Sequence, residues 1–288
     1  MRVISKKMRA YLDLIRIEQW YKNLMIAIPA VFSLKLVDLR IYPLLAIGFL
    51  TLSTAASSVY AFNDIMDLQR DKLHPRKKER PLPSGRISVR EAAILSAALA
   101  IFSLATAYFL DYVFALCIAA YITLSYVYSF ALKHIAVVDV TAIALNYLLR
   151  VVSGAFLLEI EVSPWLVTGF FFLALFLALS KRKAEHMLSG VKARESLKEY
   201  SIQWLDQALS MTTAMTIVTY AVYCAEVPLG RRLIPTVPVM AFFLLRYTLA
   251  LEKGVGEHPH EIIINDKPTF FSAILLIVSV LFLAYILG

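Results

Sequence analysis

The stretch that decides the fold runs Tyr42-Pro-Leu-Leu-Ala-Ile-Gly-Phe-Leu-Thr-Leu-Ser-Thr-Ala-Ala-Ser-Ser-Val-Tyr-Ala-Phe62 and then Asn63-Asp64-Ile-Met-Asp67-Leu-Gln-Arg-Asp71. Its first part carries no charge over the length a helix needs to cross a hydrocarbon core of roughly 30 Å, which takes about 20 apolar residues. Its second part is acidic at helical spacing. Further apolar stretches of this kind fall near 24–39, 91–110, 112–132, 137–158, 164–180, 208–228, 234–252 and 269–287. None has the alternation of a barrel strand. The expected fold class is therefore all-α, a polytopic membrane bundle of about nine transmembrane helices forming one domain over residues 1–288.

Composition agrees. Apolar residues make up 60% of the 288 positions, charged residues 17%, and the mean hydropathy is +0.70. A soluble domain of this length needs more charge to cover its surface. Cys117 and Cys224 lie inside apolar segments and read as small hydrophobes rather than as a disulfide or metal pair. Residues 1–23 are basic and polar, so no cleavable signal peptide is expected.

The net charge of +8 raises nucleic acid as a partner, but its placement along the chain argues against it. Twenty-three of the 29 Lys and Arg fall in the N-terminal segment and in the loops on its side of the membrane. Lys35, Arg40, Arg231 and Arg232 fall on the other side. Lys and Arg gather in cytoplasmic loops, which places the N-terminus in the cytoplasm and the C-terminus outside, in a multi-pass plasma-membrane protein.

Asp64, Asp67 and Asp71 stand at i, i+3 and i+7, with Asn63 four residues before Asp67. On a helix these side chains share one face, and their oxygens converge. Each carboxylate costs about 2.5–3.5 kcal/mol near a bilayer centre, so a positive partner must offset the group. A solvated helix end, its Asp residues paired with nearby Arg and Lys, is the plainer account. Mg²⁺ is the sharper one, because it takes carboxylate oxygens and keeps positions open for water and phosphate. The loop that follows holds Lys72, Arg76, Lys77, Lys78, Arg80 and Arg86 among Pro75, Pro81, Pro83 and Gly85. The prolines favour a defined lid, and the cations suit a highly anionic ligand such as a diphosphate. Ser88 and Glu91 have capping-box spacing and start the next span.

Asn63-Asp64-x-x-Asp67-x-x-x-Asp71 at the end of the second span resembles the first Asp-rich motif of the UbiA superfamily of intramembrane prenyltransferases. Arg16-Ile-Glu-Gln-Trp20-Tyr-Lys22-Asn23 and His74-Pro75-x-Lys77-x-x-Arg80-Pro81 are similar to elements of its decaprenyl-phosphate phosphoribosyltransferase branch. So are Tyr128-Ser129-x-x-Leu132-Lys133-His134, Leu149-Arg150-x-x-x-Gly154-Ala155 and Ser180-Lys181-Arg182-Lys183-Ala184-Glu185. Many members carry a second D-x-x-x-D after the sixth span. This chain has three cations and Glu185 there, which suits further phosphate groups.

The resemblance implies a Mg²⁺-dependent transfer of 5-phosphoribosyl from phosphoribosyl diphosphate to a membrane polyprenyl phosphate. In that scheme Asp64, Asp67 and Asp71 hold Mg²⁺, with Asn63 beside them. Lys77, Arg80 and Lys133 bind diphosphate, and Lys181 and Arg182 engage other phosphates. Lys22 faces the lipid phosphate, and Tyr128 and Asp139 orient Lys133 or the ribose hydroxyls. Glu185 either ligates metal or pairs with Arg182. Arg150, inside the fifth span, either pairs with a polar partner or faces the substrate cavity. Two alternatives stand beside this one: a prenyltransferase acting from a prenyl diphosphate on an aromatic or glycerol-phosphate acceptor, and a transporter or lipid scaffold with a coupling cation. The sequence leaves homo-oligomerisation and the isoprenoid's length open.

Overall fold

A computed structural model describes residues 6–189, 195–256 and 258–286. The basic residues Arg2, Lys192 and Arg194, counted above for orientation, lie outside them. The chain opens with α1 (Lys6–Ile15), a 3₁₀ segment (Ile17–Ala27) and the short α2 (Ile28–Phe32). It continues with α3 (Ile41–Met66), α4 (Leu68–Leu73), α5 (Val89–Leu110), α6 (Tyr112–Phe130) and α7 (Val138–Leu157). Next come α8 (Pro164–Ser189), α9 (Ile202–Glu226), α10 (Pro228–Leu233), α11 (Val237–Glu252), α12 (Pro259–Asn265) and α13 (Lys267–Tyr285).

Among the described residues, eight helical stretches are long and apolar enough to cross a bilayer, with α10 and α11 read together as Pro228–Glu252. The expected span near 24–39 is the one that differs. Its residues form a 3₁₀ run and a single turn and a half of α-helix before Leu34 turns left-handed at φ 60°. Pro29 lacks a donor, and 3₁₀ runs beyond three or four residues are uncommon without outside support. The nearly continuous apolar pair around Asp111 resolves into two helices. Asp111 is extended and its carboxylate caps α6, accepting from Phe114 N at 2.6 Å. The box at α5 is formed: Ser88 Oγ accepts from Glu91 N, and Glu91 Oε2 accepts from Ser88 N at 2.9 Å.

The chain divides into two compact units. The first comprises Met1–Ala30, Asp38–Leu132 and Leu149–Ile160. In it α3 packs against α5, α6, α1 and the 3₁₀ segment. Leu52, Ala55, Ala56 and Val59 of α3 meet Phe114, Ile118 and Ile122 of α6 and Ile26 of the 3₁₀ segment. Small residues suit such a helix, since packing within a membrane relies on close backbone approach. Gly154 serves the same end. A Cβ there would lie 1.9 Å from the Ile26 carbonyl oxygen, a backbone atom that cannot swing aside. Gly154→Ala is expected to cost about 1–3 kcal/mol through overpacking, read as a fall in the thermal unfolding midpoint of detergent-purified protein. An unchanged midpoint would refute the contact.

The second unit comprises Val31–Val37, Lys133–Leu148 and Glu161–Gly288. Here α8 pairs with α9, and α11 packs on α9 and α13. Phe176 and Leu179 meet Leu205, Leu244, Tyr247 and Leu251 in its core. Asp266 caps α13, accepting from Thr269 N at 3.0 Å and Thr269 Oγ1 at 2.6 Å. It also takes both Arg246 Nε (2.9 Å) and a terminal Arg246 nitrogen (2.7 Å). The Arg246 guanidinium first, and the Thr269 donors after it, hold this carboxyl well below the usual range. A depressed folded-state pKa stabilises above the unfolded value and is lost as pH falls. Asp266→Ala is therefore expected to cost about 1–2 kcal/mol near neutrality. The gap from wild type should shrink as unfolding is measured at pH below about 4.

Candidate functional site

In the first unit, α3 delivers the acidic motif and then stops. Asp67 takes φ −92°, ψ 3° between α3 and α4, although Asp67 N still bonds Asn63 O and Asp71 N bonds Asp67 O. Asp64 and Asp71 are buried, at 1% and 2% exposure, whereas Asn63 and Asp67 are half-buried. Arg80 bridges the buried pair: one guanidinium nitrogen lies 2.6 Å from Asp71 Oδ2 and 3.3 Å from Asp64 Oδ1. Arg16 forms a close ion pair with the same Asp64 oxygen.

This corrects the expectation of three converging carboxylates. Among the described residues no three Asp, Glu, His or Cys side chains gather closely enough to hold a metal. Asp67 leaves helical angles where α3 gives way to α4, and Arg80 bridges Asp64 and Asp71 while Arg16 pairs with Asp64. Asp64 Oδ2 and Asp71 Oδ1 take no part in those ion pairs. Two hard oxygen donors of this kind fit Mg²⁺, which is commonly bound by one or two carboxylates together with substrate phosphates rather than by an all-protein cage.

Asp64 faces a cavity of about 300 Å³ with Arg16, Arg76, Arg80 and Arg86 in its wall, alongside Asp13, Glu18, Gln19 and Glu79. The loop that carries three of those arginines is fastened. Leu82 and Ile87 are buried with Ala10, Leu14 and Ala61, and Ser84 Oγ donates to Arg80 O at 2.6 Å. Arg86 donates to Glu79 O at 2.6 Å and reaches Asp13 at 3.4 Å. The expected lid is thus a folded loop. Lys77 is exposed on it. Tyr128 is half-buried on α6, and Lys22 is half-buried with its ammonium 3.1 Å from Gln19 Oε1. Arg150 is buried and bonded: Nε donates to Asn23 Oδ1 at 3.0 Å, a terminal nitrogen donates to Tyr121 OH at 2.9 Å, and the guanidinium lies over the Tyr121 ring.

The second unit has its own charged cluster. Asp139 is fully buried and accepts from Arg182 Nε (2.8 Å), Tyr200 OH (2.7 Å), Ser196 Oγ (3.2 Å) and Val140 N (2.8 Å). Arg182, at 1% exposure, also pairs with Glu185 at 2.7 Å. Lys181 stands 3.8 Å from Glu185. Lys183 lies 2.6 Å from Asp206 and 3.7 Å from Glu252. The basic triplet expected to face phosphates is therefore paired with carboxylates from α7, α8, α9 and α11. Lys133 is buried in the turn that precedes α7.

Tyr200 and Ser196 had no place in the sequence reading, because a Tyr and a Ser in a polar loop carry no spacing signal. Tyr200 OH also accepts Val137 N at 2.5 Å, where Val137 is left-handed at φ 66°. Burial, and then the bond to Asp139, push the Tyr200 hydroxyl well above the ordinary phenol value, so it stays a proton donor.

The model of the UbiA prenyltransferase family matches residues 24–263. A decaprenyl-phosphate phosphoribosyltransferase of Corynebacterium glutamicum is 30% identical, the match covering 95% of this chain and 86% of that one. Its counterpart from Mycolicibacterium smegmatis is 28% identical over 94% of this chain and 88% of its own. Among solved structures, a UbiA homologue from Archaeoglobus fulgidus bound to DMAPP and Mg²⁺ superposes with a TM-score of 0.73 at 21% identity, covering 95% of this chain and 98% of that one.

Proposed function

Since the chain belongs to the UbiA prenyltransferase family of multi-pass membrane proteins, we propose that it transfers 5-phosphoribosyl from phosphoribosyl diphosphate to a polyprenyl phosphate. The observation that carries the reading is the Asp64–Arg80–Asp71 bridge beside an arginine-walled cavity. The relatives that bear the phosphoribosyltransferase name support the choice of donor and acceptor.

In this reaction an oxygen of the acceptor phosphate attacks C1 of the ribose, the C1–O bond to diphosphate breaks, and diphosphate leaves with the electron pair. A phosphate monoester is already anionic at neutral pH, so no strong base is required. The residues of the chain bind and align. Asp64 and Asp71, with Asp67 nearby in sequence, would hold Mg²⁺, which when bound neutralises charge on the leaving diphosphate. Arg80 and Arg16 supply guanidinium donors for its oxygens. Lys77 and Lys133 are further diphosphate candidates, and Lys22 is the candidate for the lipid phosphate. The reading sets the site and the N-terminus on the cytoplasmic face of a plasma membrane.

One observation favours keeping a second reading in the same test. Lys181, Arg182 and Lys183 are ion-paired, so their charge does not by itself favour a donor with further phosphate groups over a prenyl diphosphate. Purified protein should be incubated with labelled phosphoribosyl diphosphate and polyprenyl phosphate, and separately with prenyl diphosphates and aromatic or glycerol-phosphate acceptors. Phosphoribosyl transfer is expected. Prenyl turnover without it would overturn the proposal in favour of the second reading.

A further inference from the structure

Four residues of α3 form a stripe at i, i+4, i+7 and i+11: Ser53, Ser57, Tyr60 and Asp64. Each is met from the segment before α2. Asn23 Nδ2 donates to Ser53 Oγ at 3.1 Å, and Trp20 Nε1 donates to Ser57 Oγ at 3.0 Å. Arg16 lies over the Tyr60 ring at 5.1 Å and pairs with Asp64. At its far end the segment is fixed again, by Arg150 on Asn23 and by Gly154 against Ile26.

Arg16 itself is left-handed, at φ 51°, ψ 55°. That conformation is uncommon outside glycine, asparagine and aspartate, and it persists only where the surroundings over-determine it. One hydroxyl supplies much of the determination. Ser57 Oγ donates to Ile15 O at 2.8 Å, immediately before Arg16, and accepts Trp20 Nε1 four residues after it. The turn that aims the guanidinium is thereby clamped on both sides.

We propose that Arg16–Asn23 is a splint that sets the Arg16 guanidinium against Asp64, and that Trp20 and Asn23 are positioning residues for the diphosphate site although neither lines its cavity. The inference rests on the diphosphate reading of that cavity. Asn23 acts from about 16 Å along α3, eleven residues at 1.5 Å each.

The test is calorimetric binding of inorganic pyrophosphate with Mg²⁺ to the full-length protein in detergent. Trp20→Phe keeps the ring and removes the donor, Ser57→Ala removes both clamps, and Asn23→Leu removes the anchor. Each is expected to weaken binding about tenfold, the order seen when residues supporting a ligand are lost. Asn23→Asp keeps an acceptor for Arg150 and should bind like wild type. Tyr285→Phe deletes a partly buried bond to Val31 O in the other unit, and it should leave binding unchanged. Thermal midpoints identify any variant weakened by unfolding, and Trp20→Phe carries the comparison if Ser57→Ala cannot be purified. Wild-type protein that fails to bind pyrophosphate overturns the diphosphate reading and this proposal with it. Wild type that binds, with Trp20→Phe and Ser57→Ala equal to it, overturns the splint alone.

Discussion

Replacing Asp64 with Asn is expected to lower product formation by about 100-fold or more while leaving a folded protein. Asp64 is 1% exposed and serves two guanidinium groups at once. Asn has the same shape and still accepts a hydrogen bond, so the loop and α3 keep their places. The loss of one negative charge does two things together. It takes away one of two carboxylates fit for Mg²⁺, and it deprives Arg16 of the carboxylate it pairs with while Arg80 keeps Asp71. Removing one preorganised charge-stabilising group commonly costs about 10²–10³ in turnover. Product should be assayed with and without magnesium beside a thermal midpoint. Turnover within tenfold of wild type would remove Asp64 from the chemistry.

Arg182→Met should give the largest loss of stability, about 3–5 kcal/mol, because breaking a buried ion pair leaves its partner uncompensated. The partner is Asp139, which is fully buried and, among the described residues, would keep hydroxyl and backbone donors. Replacing both residues with apolar ones of similar volume is often close to neutral. The Arg182→Met/Asp139→Leu double variant should therefore be more stable than Arg182→Met alone. Urea or thermal unfolding of the three proteins checks this, and a double variant weaker than the single would contradict it.

The long helices were legible because length and unbroken apolarity are local properties, as at Val89–Leu110 with its Ser88 cap. The segment 24–39 was legible in its apolarity but not in its broken helical form, for a reason equally physical. Hydropathy averages over the residues and is blind to Pro29 and to the left-handed turn at Leu34. The site was legible in its residue types and only partly in its geometry. Asp64 and Asp71 do converge, but through Arg80, and Asp67 falls at the helix break. Arg16 stood in the quoted sequence motif, yet its partner is 48 residues away and no spacing rule links them. The basic triplet posed the opposite problem. Its charge was plain, while the carboxylates that balance it arrive from three other helices.

The unusual opening of the chain bears on how the protein is made. Residues 17–27 cannot hold an extended 3₁₀ form unaided, and their fastenings are Ser53, Ser57, Arg150 and Gly154. During synthesis the first two become available once α3 has left the ribosome, but the others emerge more than a hundred residues after the segment itself. This segment, made before the helices that fasten it, is therefore among the last to reach its final form, and a nascent chain stalled before α7 would carry it unfinished.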